Sequence, residues 1–147
     1  MSDETIVEVL SDGTLNTESS DELLWKHLFP HQYVPYTVTD TGSYIMYDLD
    51  ENVIIPRSST NSTYTELTLY FWIFTHKQEP CYKGRLRNDI LSRELKLLFN
   101  DVRNMGIAKN HLIYSKVYNS GNYDYIGRCM AFKITDWADK VRLKYGT

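Results

Sequence analysis

The sequence predicts an α+β domain in which a mixed or antiparallel β-sheet carries helices on one face, preceded by an acidic N-terminal arm. Three patterns indicate this class: strand-like alternation over Tyr64–His76, helical periodicity over Arg85–Phe99, and two strand patterns at His111–Tyr118 and Ile126–Ile134. A helix between groups of strands is typical of helices packed on one face of such a sheet. We therefore divide the chain into an arm, residues 1–19, and a single domain, residues 20–147.

The predicted arm is acidic. Residues 1–25 contain seven Asp and Glu and no Lys or Arg, whereas the rest of the chain holds 16 basic and 12 acidic residues. Its apolar patch, Ile6–Leu10, is followed by a turn signal at Ser11–Thr14 and predicts a short strand in this subunit or in another. The arm either docks on the mildly basic body, docks on a neighbouring copy, or stays solvated.

A short helix is predicted over Glu22–Phe29. Ser20 or Asp21 supplies its N-cap, and Pro30 and Pro35 end it because proline removes an amide donor.

The first part of the sheet is predicted at Ser43–Leu49, which has a strand pattern. A turn at Asp50–Asn52 separates it from a short extended segment at Val53–Ile55, and Arg57–Thr63 follows as a polar loop.

Tyr64–His76 is the longest predicted strand. One face carries Leu and other apolar residues, while the other face ends in the aromatic residues Tyr70, Trp72 and Phe74. This pattern indicates one face on the core and a second face covered by a helix of the same chain or by a neighbouring subunit.

A loop at Gln78–Gly84 leads to the clearest predicted helix, Arg85–Phe99. The two strands beyond it are joined by Asn119–Tyr125, whose turn composition predicts an antiparallel hairpin. Asp136 is a candidate cap for a final helical turn over Trp137–Tyr145.

Composition narrows the class of protein. The chain has 147 residues, 42% hydrophobic and 24% charged, which is ordinary for a soluble globular domain. It has no apolar run of membrane-spanning length and no signal-peptide pattern, so we expect a soluble, intracellular product. An aromatic content of 14%, with 12 Tyr, favours assembly because Tyr and Trp are enriched at interfaces.

The residue types that carry catalysis or bind metals are present without supporting patterns. His27 and His31 have the i, i+4 spacing of metal ligands, but Pro30 lies between them, which favours a surface role. Cys81 has no neighbouring base, and Cys129 lies in a strand pattern, so both are expected to be reduced structural residues. We predict no enzyme activity, no metal and no cofactor.

A basic cluster surrounds the long helix. A solvated helix face, a salt-bridging surface between subunits and a nucleic-acid site are its three interpretations, and the lack of interleaved aromatics disfavours the last. Its members are Lys77, Lys83, Arg85, Arg87, Arg93, Lys96 and Arg103.

Five segments together resemble small structural proteins of tailed bacteriophages. They occur in one order along the chain: Leu28–Asp50, Leu67–Lys77, Arg85–Asn100, Met105–Leu112 and Tyr123–Trp137. The chain departs from the pattern at Asn88, Leu95 and Ala108, and the acidic arm has no counterpart in it.

This resemblance implies a structural protein of the phage neck in the virion, assembled in the host cytoplasm. A tail terminator, which forms a hexameric ring that ends the tail tube and joins it to the head, is the preferred role. A portal-side head-completion or adaptor protein is the alternative, and a small ligand-binding module using Asn119–Tyr125 is a further one. The implied partners are other copies of the chain, the tail tube and head-completion proteins. We expect no membrane partner and no sequence-specific nucleic acid, although DNA passes through the lumen of such a ring.

Ring assembly requires a head-to-tail interface, for which aromatic and charged residues are the natural anchors. On this basis Trp72→Ala is expected to leave the monomer folded and to weaken assembly, and the acidic arm is expected to contact the basic helix of a neighbour. Besides the loop Arg57–Thr63, the candidate interface residues are Tyr64, Tyr70, Trp72, Phe74, Arg85, Arg93, Lys96, Asp3, Glu4 and Glu8.

Overall fold

The computed structural model describes residues 4–14, 21–23, 26–30, 42–54, 64–103, 105–106, 108–119 and 124–137. Its elements occur in the order α1 (Glu4–Ser11), β1 (Leu28–Pro30), β2 (Ser43–Ile54), β3 (Tyr64–His76), β4 (Cys81–Tyr82), β5 (Arg85–Leu86), α2 (Arg87–Phe99), β6 (His111–Tyr118) and β7 (Tyr125–Trp137).

Five of these strands form one mixed sheet in the order β1-β2-β3-β7-β6. β1 runs parallel to β2, and the other neighbouring strands are antiparallel. The predicted α+β class with a mixed sheet is confirmed, and β3 and β6 have the predicted bounds.

Both helices pack on one face of the sheet. Leu91 and Leu95 of α2 are fully buried against sheet residues such as Phe71 and Phe132, and α1 adds Ile6, Val7, Val9 and Leu10 to the same cluster. Alternation along each strand sends the intervening side chains to the opposite face. We call that surface the aromatic face; its buried members are Phe29, Tyr44, Met46, Trp72, Phe74 and Cys129, with Tyr70, Tyr114, Tyr118 and Tyr125 partly buried beside them.

The N-terminal patch Ile6–Leu10 was expected to be a strand, and this prediction is wrong. Its β-branched residues favour extended backbone locally, but in α1 the side chains of Ile6, Val9 and Leu10 follow helical spacing and bury against the core. Tertiary packing therefore decides the structure of this segment.

The predicted helix at Glu22–Phe29 is also corrected. A single helical turn at residues 21–23 gives way to β1, which pairs with β2 from Leu28 to Pro30. Leu28 packs in the core cluster beneath α1 and α2, whereas Phe29 packs in the aromatic face. Successive side chains therefore point to opposite faces, as they do in a strand.

β2 passes through the predicted turn at Asp50–Asn52 without interruption, because β3 is long enough to pair with it as far as Ile54. β7 extends to Trp137, so the predicted final helix does not begin there. The remainder of that predicted helix and the loop Arg57–Thr63 lie outside the described residues, as does most of Asn119–Tyr125.

Strands β4 and β5 form a hairpin with a two-residue turn where the end of the loop Gln78–Gly84 and the start of the helix were predicted. α2 therefore begins at Arg87 and not at Arg85. Lys83 and Gly84 have φ of 48° and 79°, the positive values that a tight hairpin turn requires.

A series of three hydrogen bonds, two buried and one partly buried, joins the start of α2 to the sheet. Ser43 Oγ lies 3.0 Å from Thr75 Oγ1, which donates to Asn88 Oδ1 at 2.6 Å, and Asn88 Nδ2 donates to the carbonyl of Ile126 at 3.0 Å. Asn88, a departure from the phage pattern, thus fixes the position of α2 above the sheet.

Candidate functional site: a charged groove and an aromatic face

A groove of about 570 Å³ runs between α1, the β4–β5 hairpin and α2. We call it the helix groove; it is lined by Thr5, Glu8, Val9, Tyr82, Lys83, Arg85, Leu86, Asp89, Ile90, Arg93 and Glu94. Acidic and basic side chains both line it, so its charge is nearly balanced.

Glu8 connects α1 to the hairpin. Its carboxylate accepts hydrogen bonds from Lys83 Nζ at 2.6 Å and from the Tyr82 hydroxyl at 2.8 Å. The bond from Lys83, followed by that from Tyr82, lowers the pKa of Glu8. The same contacts with Glu8 raise the pKa of Tyr82 and of Lys83.

Arg87 makes the second connection between α1 and the rest of the chain. It is 4% exposed, and its guanidinium donates to the carbonyl of Val9 at 3.0 Å and to Asp12 Oδ1 at 2.9 Å. The guanidinium also lies 5.1 Å from the centre of the Tyr82 ring, within cation–π range. Two acidic side chains of the predicted arm, Glu8 and Asp12, are thus paired within their own chain.

Four of the predicted interface residues are exposed on the helical side. Glu4 lies in the first turn of α1, Arg85 lies in β5, and Arg93 and Lys96 lie on α2. Asp3 lies outside the described residues, and the side chain of Tyr64 is not described.

Three of the four aromatic residues predicted for the interface, Tyr70, Trp72 and Phe74, lie on the aromatic face. Trp72 and Phe74 are only 6% and 5% exposed, and Tyr70 stacks on Trp72 with 5.5 Å between ring centres. Their burial within the subunit means that a partner would gain little area by covering Trp72 or Phe74. The expectation that Trp72→Ala leaves the monomer folded is therefore revised.

Tyr114 borders the aromatic face, with its hydroxyl 3.9 Å from Cys129 Sγ. Burial, followed by the interactions with Cys129, raises the pKa of Tyr114 to about 12. Burial also raises the pKa of the Cys129 thiol.

Tyr114 is expected to ionise later than a solvated tyrosine when the protein is titrated with base. Because its pKa is raised in the folded state above an unfolded value near 10, its contribution to stability is complete below about pH 10. That contribution is lost as the pH rises towards about 12. Tyrosinate absorbance should show a late component that Tyr114→Phe reduces, because Tyr82, whose pKa is also raised, remains; a late component unchanged in Tyr114→Phe would contradict the assignment.

The His and Cys residues that were considered as possible metal ligands do not form a cluster in the described part of the chain. No group of three or more His, Cys, Asp or Glu lies together among those residues. The ring of His27 is 3.0 Å from the carbonyl of Ser43 through Nδ1 and stacks on Tyr44, while His31 lies outside the described ranges. Cys81 is exposed and Cys129 is buried, and neither forms a disulfide. None of the described helices is long and apolar enough to cross a membrane.

Sequence reasoning missed two features. The first is the helix groove, where the β4–β5 hairpin places Tyr82 and Lys83 opposite α1. The dipeptide Lys83–Gly84 was the signal for this hairpin. The edge strand β6 exposes Ile113 and Val117, and their spacing of four residues within a strand pattern was its signal.

Comparison with known proteins shows a family for the chain. No curated protein matches the sequence significantly. The protein-family model YomW matches residues 3–134. The name is one given to phage-derived proteins of Bacillus type. This match includes α1 and nearly all of the sheet, and it is well over half of the 147-residue chain. The chain therefore belongs to the YomW family, whose name indicates a phage protein.

Proposed function

We propose that the protein is a structural component of the phage neck, where copies assemble into a ring that terminates the tail tube and joins it to the head. The observation that carries this proposal is the match of residues 3–134 to a phage-derived family, which spans the same body as the ordered neck-protein motifs. The layered α+β fold supports it because the resemblance implies a sheet flanked by helices.

The positions of the two helices suit a head-to-tail contact. α1 packs against α2 and, towards one edge of the sheet, against β2, whereas α2 extends over β3, β7 and the opposite edge strand β6. A heterologous interface joins two different surfaces of the subunit and closes into a ring when the rotation between copies permits. The acidic start of α1 and the basic outer face of α2 are two such surfaces.

Ion pairs within the subunit determine which charged residues remain for the contact between subunits. Glu8 and Asp12 are paired internally with Lys83 and Arg87. We therefore assign the contact between subunits to the exposed carboxylate of Glu4 and the exposed cations of α2, which are Arg93 and Lys96 together with Arg85 of β5. Such rim charges set partner choice and association rate more than affinity.

Native mass spectrometry over a range of protein and salt concentrations tests the stoichiometry. A hexamer is the expected result. A ring of twelve copies would replace the terminator by the portal-side adaptor. A strict monomer at high concentration would contradict self-assembly and favour a ligand-binding module.

Charge reversal tests the proposed contact. Arg93→Glu should weaken the ring about tenfold at low salt, because attraction to Glu4 of the neighbour becomes repulsion. The effect should fade towards 1 M salt, where the Debye length falls to about 3 Å. Sedimentation velocity measures the fraction assembled.

Two further variants complete the test. Lys109→Glu makes the same charge change at an exposed position outside both helices and should leave assembly unchanged. Adding Glu4→Lys to Arg93→Glu should restore the ring, since it exchanges the two charges. Equal weakening by Lys109→Glu, or no rescue by the double variant, would contradict the assigned contact.

A further inference from the structure

β6 forms one edge of the five-stranded sheet. Its inner side pairs with β7, and within the described ranges no strand pairs with its outer side. An edge strand presents backbone donors and acceptors that can pair with a strand from another chain. The opposite edge is less able to do so, because β1 has three residues and ends at Pro30, which lacks an amide donor.

The surface of β6 is apolar for an edge strand. Val117 is 76% exposed and Ile113 is 52% exposed. Natural edges are commonly protected by charges, prolines or bulges. β6 has a bulge between Leu112 and Tyr114 and one charge at Lys116, which leaves the stretch from Tyr114 to Tyr118 regular.

We infer that β6 pairs antiparallel with β6 of a second copy around a two-fold axis at Ser115. In this register the regular stretch pairs Tyr114 with Lys116 and Ser115 with Ser115, and Val117 of one copy lies beside the bulge residue Ile113 of the other, so the two exposed apolar residues come together at both ends of the pairing. Directly opposite residues in an antiparallel pair share a face of the sheet. The pairing therefore joins two sheets into one, with both helical layers on the same side.

Charge selects this register over its neighbour. Within one subunit Lys116 Nζ lies 4.5 Å from the centre of the Tyr114 ring. An axis at Ser115 places Lys116 opposite Tyr114 of the second copy, where the cation meets a second ring. An axis at Lys116 would instead place two lysines directly opposite each other, and like charges in that position are unfavourable.

This contact is separate from the ring interface and does not depend on the neck function. A two-fold contact closes with two copies, whereas the ring uses a head-to-tail contact. The second copy protects the apolar edge of the free protein from unspecific strand pairing.

Sedimentation equilibrium tests the contact. At protein concentrations below those at which the ring forms, the unmodified chain should show a concentration-dependent dimer, and Val117→Asp should weaken that dimer at least about tenfold because the substitution occurs at two symmetric places. Leu49→Asp is the matched control, since Leu49 is 46% exposed on a strand, β2, outside both proposed contacts. A dimer weakened by Leu49→Asp and not by Val117→Asp, or an unmodified chain lacking any two-fold species, would overturn the inference.

Disulfide trapping tests the register independently of affinity. Opposite residues in an antiparallel pair have Cα atoms about 4.5–5.5 Å apart, within reach of a disulfide. Ser115→Cys in a Cys81→Ser background should form a reducible covalent dimer, with circular dichroism confirming the fold. Lys116→Cys in the same background should not, because its symmetric partner is a diagonal neighbour more than about 7 Å away. Crosslinking at Lys116→Cys alone would overturn the assigned register.

Discussion

Trp72→Ala is expected to lower the free energy of unfolding by about 3–5 kcal/mol, the range for removing a buried aromatic side chain. Trp72 is 6% exposed and is packed with the other buried members of the aromatic face. The substitution also removes the stacking of the Trp72 ring on Tyr70, whose ring centre lies 5.5 Å away. Close-packed interiors relax only partly around such a deletion, so most of the cavity remains.

Urea denaturation followed by circular dichroism measures this change. Leu97→Ala is the control, because Leu97 is 63% exposed and its truncation should alter stability by less than about 1 kcal/mol. A Trp72→Ala protein with an unchanged unfolding midpoint and weaker assembly would contradict the structure's placement of this side chain. That result would return Trp72 to the interface that the sequence pattern predicts.

Long regular patterns were the predictable part of this fold. Tyr64–His76 alternates over its whole length, and Arg85–Phe99 repeats apolar residues at helical spacing, so β3 and α2 were recognised with their type and approximate bounds. The strand and helix periods differ enough that no knowledge of neighbouring elements was needed. β2 is the intermediate case, since its interior Asp50–Asn52 has turn composition and is extended only because β3 pairs with it.

Short segments could not be predicted in the same way. Ile6–Leu10 fits a strand by composition, and its helix is stabilised by burial against α2 and the sheet. Alternation in β3 likewise identifies two faces but not what covers the second one. Trp72 and Phe74 were therefore assigned to an interface, although the chain itself buries them.

Residue type identified charged side chains that line the helix groove, but the sequence indicated neither the groove nor the pairings within it. Glu8 and Lys83 are separated by 75 positions, and only the fold brings them to 2.6 Å. Glu8 and Asp12 of the predicted arm pair with basic side chains of the same chain, Lys83 in the hairpin turn and Arg87 at the start of α2. The expected contact of the arm with the basic helix of a neighbouring copy stays a prediction.

Arg87→Ala is expected to lower the free energy of unfolding by about 2–4 kcal/mol. It removes the donor to the carbonyl of Val9, a residue 1% exposed, and an unpaired buried acceptor costs about 1–3 kcal/mol. It also removes the pair with Asp12, the cation–π contact with Tyr82 and a buried aliphatic stem. Native-state hydrogen exchange should show the largest loss of protection in α1.

Lys83→Ala is the matched control for this experiment. It removes the other ion pair between α1 and the rest of the chain, but Lys83 is 72% exposed, and an exposed pair contributes little to stability. Equal costs for the two variants would contradict the role given to burial. Because α1 shares the core with α2 and the sheet, Arg87→Ala should lower the stability of the whole domain. Loss of protection confined to α1 with unchanged global unfolding would instead make residues 1–19 a separate arm, as the sequence predicts.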